Sequence, residues 1–170
     1  MKVADGIHMV CSFTGHRKIE PETRERLVGL LGRAIEYAYN EGCRTFITGG
    51  ALGFDTLAAR EVIRFRMSHT DVRLVLALPC VEQDSKWSET QKSAYNFTLS
   101  AADEVIYTSE TYTNHCMAER NRYLADRADI LIAYCGRTNS GAAQTVRMAE
   151  KMNKRIYNLY PTILKIMNNQ

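Results

Sequence analysis

The feature that most constrains this chain is a regular alternation of short apolar runs with segments of helical periodicity. Met9-Val10-Cys11-Ser12-Phe13, Val72 to Leu78 and Ile130-Leu131-Ile132-Ala133-Tyr134 are continuous apolar runs, and Thr45-Phe46-Ile47, Glu104 to Tyr107 and Arg155-Ile156-Tyr157 are shorter ones. Strands that are apolar on both faces belong in a parallel sheet covered by helices on each side. Between the runs, apolar residues recur at helical spacing. Leu27, Leu30, Leu31, Ala34, Ile35 and Ala38 form one stripe, introduced by Pro21 and closed by Gly42. Phe54, Leu57, Ala58, Val62 and Phe65 form the next. Further helices are predicted up to about Ala101, from about His115 to Ala128, and from Ser140-Gly141 to about Met152. The expected fold class is α/β, a three-layer αβα domain with a mainly parallel central sheet. At 170 residues one domain is expected over 1–170.

Parallel sheets of this kind bind ligands at the carboxyl ends of their strands. The segments that follow the strands therefore matter most. After the first strand comes Thr14-Gly15-His16-Arg17. Thr14 offers a hydroxyl, Gly15 allows close approach, and Arg17 can grip phosphate or carboxylate with two prongs. His16 is a candidate donor or base. After the second strand comes Thr48-Gly49-Gly50-Ala51-Leu52-Gly53-Phe54-Asp55. Gly49, Gly50 and Gly53 at a strand-to-helix junction fit either an anion cradle or a tight turn. Asp55, in the first helical turn, fits either an N-terminal cap or a partner for a ribose hydroxyl.

Arg120 and Asn121 lie early in the helix from His115, and Asn121 interrupts an apolar stripe formed with Met117, Leu124 and Ala128. A buried amide needs partners, either loop backbone or a ligand. Tyr134-Cys135-Gly136-Arg137-Thr138-Asn139-Ser140-Gly141 follows the fifth strand. Ser140 suits an N-cap, Gly141 would leave the first helical N–H groups open to an anion, and Thr145 lies one turn further in. The single tryptophan, Trp87, is read as a core anchor, with stacking on a base as the alternative.

Composition narrows the function classes. The net charge of +3 is too small to argue nucleic-acid binding by itself. No apolar run approaches the ~20 residues of a membrane span. Asp5 and His8 stand where a secretory signal would be apolar, so a cytoplasmic location is expected. The five cysteines form no C-x-x-C pair and no zinc spacing, so no metal is expected. The G-x-x-x-x-G-K-[ST], G-x-G-x-x-G and G-x-S-x-G motifs are missing, which disfavours P-loop ATPases, ordinary dinucleotide-dependent dehydrogenases and α/β-hydrolases.

Together, Phe13-Thr14-Gly15-His16-Arg17, the 48–55 loop, Ala77-Leu78-Pro79 and Arg120-Asn121 give a chain that resembles the YpsA-like proteins of the SLOG superfamily. The resemblance spans about Phe13 to Tyr157 and implies a Rossmann-like domain that binds a nucleotide or nucleotide-derived ligand, as a sensor or regulatory protein. It implies no required cofactor beyond that ligand. Relatives include the single-stranded-DNA-binding DprA proteins and the LOG-type phosphoribohydrolases. The LOG signature P-G-G-x-G-T-x-x-E is not matched by Ser140-Gly141-Ala142-Ala143-Gln144-Thr145, which lacks the proline, the paired glycines and the glutamate.

Binding is therefore favoured over catalysis. If the chain is an enzyme, the expected reaction is hydrolysis of an N-glycosidic bond, with Asp55 and Glu119 as candidate catalytic carboxylates. The expected partner is a nucleotide-derived small molecule. A third hypothesis, nucleic-acid binding through Arg60, Arg64 and Arg66 or Arg120, Arg122 and Arg127, is not favoured, because charged helix faces are usually just solvated. A homo-oligomer is compatible with the apolar stripes of the outer helices.

Overall fold

A computed structural model describes residues 8–169, so Asp5 and Gln170 lie outside the described residues. Strands and helices alternate without exception: β1 Met9–Gly15, α1 Pro21–Glu41, β2 Cys43–Thr48, α2 Phe54–Arg66, β3 Arg73–Leu78, α3 Glu89–Ala101, β4 Glu104–Tyr107, α4 Cys116–Arg127, β5 Ile130–Tyr134, α5 Gly141–Lys151, β6 Arg155–Asn158 and α6 Tyr160–Asn168. The six strands form one sheet in the order β4-β3-β2-β1-β5-β6. Every pairing is parallel. This is a Rossmann-like α/β fold.

Alternation of side chains along the strands divides the core into two layers. Cys11 and Phe13 of β1 and Ile130 and Ile132 of β5 pack with Leu27, Leu31 and Ile35 of α1 and Phe54 and Val62 of α2. On the opposite face, Leu131 packs with Ala125, Ala128 and Ala149 from the α4–α5 side. Ile47, Val75 and Ala77 meet Leu124 of α4 there. The small residues on this face let α4 and α5 lie close to the sheet and to each other. That closeness brings α4 side chains to the start of α5.

Two features differ from the sequence expectation. β1 continues through Thr14 and Gly15, which pair with Ala133 and Tyr134 of β5, so these residues are strand rather than loop. The chain also ends in a helix, α6, not expected from the sequence, in which only the terminal residues looked frayed. Pro161 near its start and buried Ile163 are its sequence signals. With nine residues it is too short to be stable alone, and packing on the α1 side of the core holds it.

Because β1 lies between β2 and β5, the chain leaves its two central strands in opposite directions. The segments after β1 and β5 therefore part, and a crevice opens at their carboxyl ends.

Candidate functional site

The crevice is a cleft of about 370 Å³, walled by the end of β1, the first turn of α2, one face of α4 and the start of α5. Thr14, Gly15, His16 and Arg17 line it from β1, Asp55 from α2, Arg120 and Asn121 from α4, and Ser140 and Gly141 from α5. Nine residues singled out from the sequence thus converge on one space.

Asp55 is the central group. It is 6% exposed, and its Oδ2 accepts the Ala51 N–H at 3.2 Å. Its Oδ1 is buried without a partner. Burial raises the carboxyl from its ordinary 3.8 to about 6, against the pull of the Arg120 charge, the Ala51 N–H and Arg17. Arg120, also 6% exposed, is fixed from two sides. Its Nη1 donates to the Gly49 carbonyl at 2.6 Å and its Nε to Asn121 Oδ1 at 3.1 Å. Asn121 in turn donates through Nδ2 to Gln144 Oε1 at 3.3 Å and to the Gly141 carbonyl at 3.5 Å. The chain of contacts runs from the glycine loop through α4 to the first turn of α5. Asn121 thus finds loop-backbone and side-chain partners while still lining the cleft.

Gly49 explains why this arrangement can form. A Cβ there would stand 2.5 Å from Arg120 Nη1 and 2.9 Å from Asp55 Oδ2. The missing side chain leaves room for both the arginine and the carboxylate, one on either side of it. Gly53 has a different reason. Its φ is +78°, and a Cβ would stand 2.2 Å from the Arg17 carbonyl oxygen. The Phe54 N–H donates to the His16 carbonyl at 3.0 Å. The segment after β1 therefore closes the amino end of α2 with its own carbonyls. An anion cradle needs open N–H groups, and here carbonyl oxygens cover that end. Gly49, Gly50 and Gly53 shape the turn beneath the cleft and do not line it.

The open helix end belongs to α5. Ser140 Oγ accepts the Ala143 N–H at 3.1 Å, while Ser140, Gly141 and Ala142 line the cleft. A helix N-terminus with a capping hydroxyl suits an anion. Cations surround it: Arg17, Lys18 and Arg137 are exposed around the cleft and Arg120 lies deeper. Lys18 and Arg137 were missed as candidates, although each is a cation in a segment that follows a central strand.

His16 is fixed by its surroundings. Its Nε2 accepts the Gly136 N–H at 2.9 Å, and its ring packs edgewise on Tyr134 and Tyr160. Burial, and then the charge of Arg137, lowers its pKa below the ordinary 6.5. The neutral ring ties the segments after β1 and β5 together, and its Nε2 lone pair is occupied.

Besides the three loop glycines, two expected site residues lie outside the cleft. Glu119 is exposed, accepts a bond from Ser109 Oγ at 2.8 Å and lines a different surface depression. One residue along a helix turns the side chain by about 100°, so Glu119 cannot share the face of Arg120. Thr145 is fully buried, and its hydroxyl bonds back to the Gly141 carbonyl at 3.0 Å. Asp55 is thus the one carboxylate among the residues that line the cleft. Among the described residues no group of three or more His, Cys, Asp or Glu could hold a metal. All five cysteines are free, and among the described residues no helix is long and apolar enough to cross a membrane.

Comparison with known proteins agrees with this fold. The SPbeta prophage-derived protein YoqJ of Bacillus subtilis (strain 168) is 30% identical over 146 residues, 78% of this chain and 85% of that protein. A UPF0398 protein of Bacillus cereus (strain AH187) is 26% identical over 132 residues, 76% of this chain and 72% of that one. Among solved structures, DNA processing protein A of Helicobacter pylori, described for its single-stranded DNA binding mode, superposes with a TM-score of 0.60 at 17% identity. That match covers 87% of this chain and 63% of the other. DprA of Streptococcus pneumoniae gives 0.62 at 13% identity, over 89% of this chain and 50% of the other. The chain therefore spans between half and two thirds of these structures, and the likeness concerns the fold. The family model for YpsA matches residues 13–166. The chain belongs to the YspA SLOG family.

Proposed function

We propose that the cleft binds the sugar–phosphate portion of a nucleotide or nucleotide-derived ligand and that the protein acts as a binding or sensing module. The observation that carries this is Asp55: a buried carboxylate with one oxygen unpartnered, in a cleft that is otherwise cationic and ends at an open helix N-terminus. The open end of α5, with Arg17, Lys18 and Arg137 around it, suits phosphate. Asp55 would repel phosphate, so it suits neutral hydroxyls, and a ribose supplies them. Arg120 holds the carboxylate in place by charge, and Asn121 links that pair to α5. N-glycosidic hydrolysis is less well supported, because Glu119 lies outside the cleft and leaves Asp55 without a second carboxylate.

The test is thermal unfolding against ribose 5-phosphate, nucleoside monophosphates, ADP-ribose and NAD. A ligand at ~100 times its dissociation constant adds roughly 2.7 kcal/mol. For a domain of this size that raises Tm by about 5–10 °C. The gain should vanish in Arg17→Ala, whose exposed side chain has little structural work. No shift from any of these compounds at millimolar concentration refutes the proposal. Chromatography of the same mixtures detects any released base.

Single-stranded nucleic acid is the second reading. Arg24 and Arg60 join Arg17 around an adjoining depression of about 310 Å³, which extends the cationic surface beyond the cleft. The fold likeness to DprA points the same way. A DNA-binding protein of this type loses affinity steeply as salt rises. Fluorescence anisotropy of a labelled oligonucleotide between 50 and 200 mM salt, taken as the working range, decides between the two.

A further inference from the structure

A second cavity, of about 590 Å³, opens beside the cleft. The two share Arg17 and Met117 as walls. Between them runs the glycine loop, with Ala51 facing the cleft and Leu52 the cavity. The cavity is formed by the irregular segments after β3 and β4, and it differs in chemistry from the cleft. Trp87 and Tyr112 supply aromatic faces, and Leu52 and Met117 supply apolar ones. Tyr112 is 67% exposed and Met117 is 36% exposed, so these apolar surfaces are left uncovered. Trp87 is set at its position by edgewise packing on Tyr95, with ring centroids 5.0 Å apart.

Gln83 adds a polar group with a direction. Its Nε2 donates to the Gly50 carbonyl and to Tyr95 Oη, both at 3.3 Å. Turning the amide over would set its oxygen against the Gly50 carbonyl, so the nitrogen must face that oxygen. Gln83 Oε1 is then the remaining atom, and it is buried without a partner. A buried acceptor with no donor is rare in a folded protein and calls for a reason.

We infer that this cavity receives the base of the ligand whose sugar and phosphate occupy the cleft, and that the base presents an N–H donor to Gln83 Oε1 while it stacks on Trp87. This rests on the sugar–phosphate reading of the cleft. It commits the ligand to a nucleotide whose base carries an N–H donor.

Isothermal titration calorimetry separates the two readings. The probes are ribose 5-phosphate, which has no base; AMP, GMP and CMP, whose bases carry exocyclic amino groups; and purine riboside 5′-monophosphate, whose base carries no donor. Stacking of a base on an aromatic side chain should make the best of the three monophosphates bind about 10-fold or more tighter than ribose 5-phosphate. Loss of one hydrogen bond should weaken purine riboside 5′-monophosphate by about 3- to 10-fold relative to AMP. Trp87→Ala should remove the advantage of the base and leave ribose 5-phosphate binding unchanged, and Trp87→Phe should restore most of it. If ribose 5-phosphate binds as tightly as all three monophosphates, the base site is overturned and the cleft reading stands. If none of the probes binds, the cleft reading falls and this inference falls with it.

Discussion

Replacing Asp55 by asparagine should stabilise the protein at neutral pH while it weakens ligand binding. The side chain is buried, and burial holds its pKa at about 6, above the ordinary 3.8. A carboxyl whose folded pKa is raised keeps a proton that the unfolded chain would release. Its contribution to stability is therefore full below 3.8 and lost as pH rises through about 6. Each tenfold in proton affinity is worth about 1.4 kcal/mol, so ionised Asp55 costs the folded state about 3 kcal/mol at pH 7.5. Asparagine keeps a carbonyl for the Ala51 N–H and carries no charge. The variant should then gain up to about 3 kcal/mol at pH 7.5, or on the order of 6–12 °C in Tm, and the gain should shrink towards zero near pH 4. The assay is urea unfolding of both proteins at several pH values, read as the difference between them, so that other titrating groups cancel. The opposing force is Arg120, a buried cation that loses its compensating charge in the variant. If Asp55→Asn is less stable at pH 7.5 and its deficit fails to grow, or shrinks, as pH falls, ionised Asp55 stabilises the folded state, the attraction of Arg120 outweighs burial and the reasoning is wrong. A stabilised variant with weakened binding would mark Asp55 as a residue retained for a ligand at the expense of stability.

Other substitutions probe the same geometry. Arg120→Met removes the larger of the two charges that offset the burial of Asp55 and leaves the Gly49 carbonyl without its donor, so it should destabilise by about 1–3 kcal/mol at pH 7.5 and by less at pH 4, where Asp55 is protonated. Urea unfolding at the two pH values checks this. From the sequence alone, Gly53→Val is expected to abolish binding and spare the fold. The +78° φ and the 2.2 Å approach to the Arg17 carbonyl predict instead a loss of about 2–5 kcal/mol, measurable as a fall in Tm without any ligand. Ser140→Ala removes the cap of α5 and should cost about 1 kcal/mol in stability. It should also weaken ribose 5-phosphate binding by calorimetry, and unchanged affinity would argue against phosphate at this helix end.

Much of the architecture was legible from the order of residues. Ile130 to Tyr134 is apolar at every position, so it had to be covered on both faces, and β5 is buried throughout. Such strands fix a parallel sheet, and a parallel sheet fixes where ligands bind. That is why Thr14, Arg17, Asp55, Arg120 and Ser140, singled out because they follow or face strand ends, all line one cleft. Helix α6 was not legible, because a nine-residue segment carries too few apolar positions to show a period. Arg137 and Lys18 were overlooked because a single cation in a polar segment has no pattern to mark it.

Sequence by itself determined the class of fold, the end of the sheet where the cleft opens and most of the side chains that line it. These follow from local periodicity, which each segment expresses independently of its neighbours. Tertiary structure alone decided which roles those side chains take. Two helix N-termini were candidates for an anion, and the chain folds the segment after β1 over the start of α2, where the His16 carbonyl accepts the Phe54 N–H, while it leaves α5 open. Gly49 looked like part of a cradle and proved to be the gap that leaves room for Arg120 on one side and Asp55 on the other. Whether an N–H group is free depends on which distant carbonyl folds back onto it, and no spacing along the chain encodes that contact.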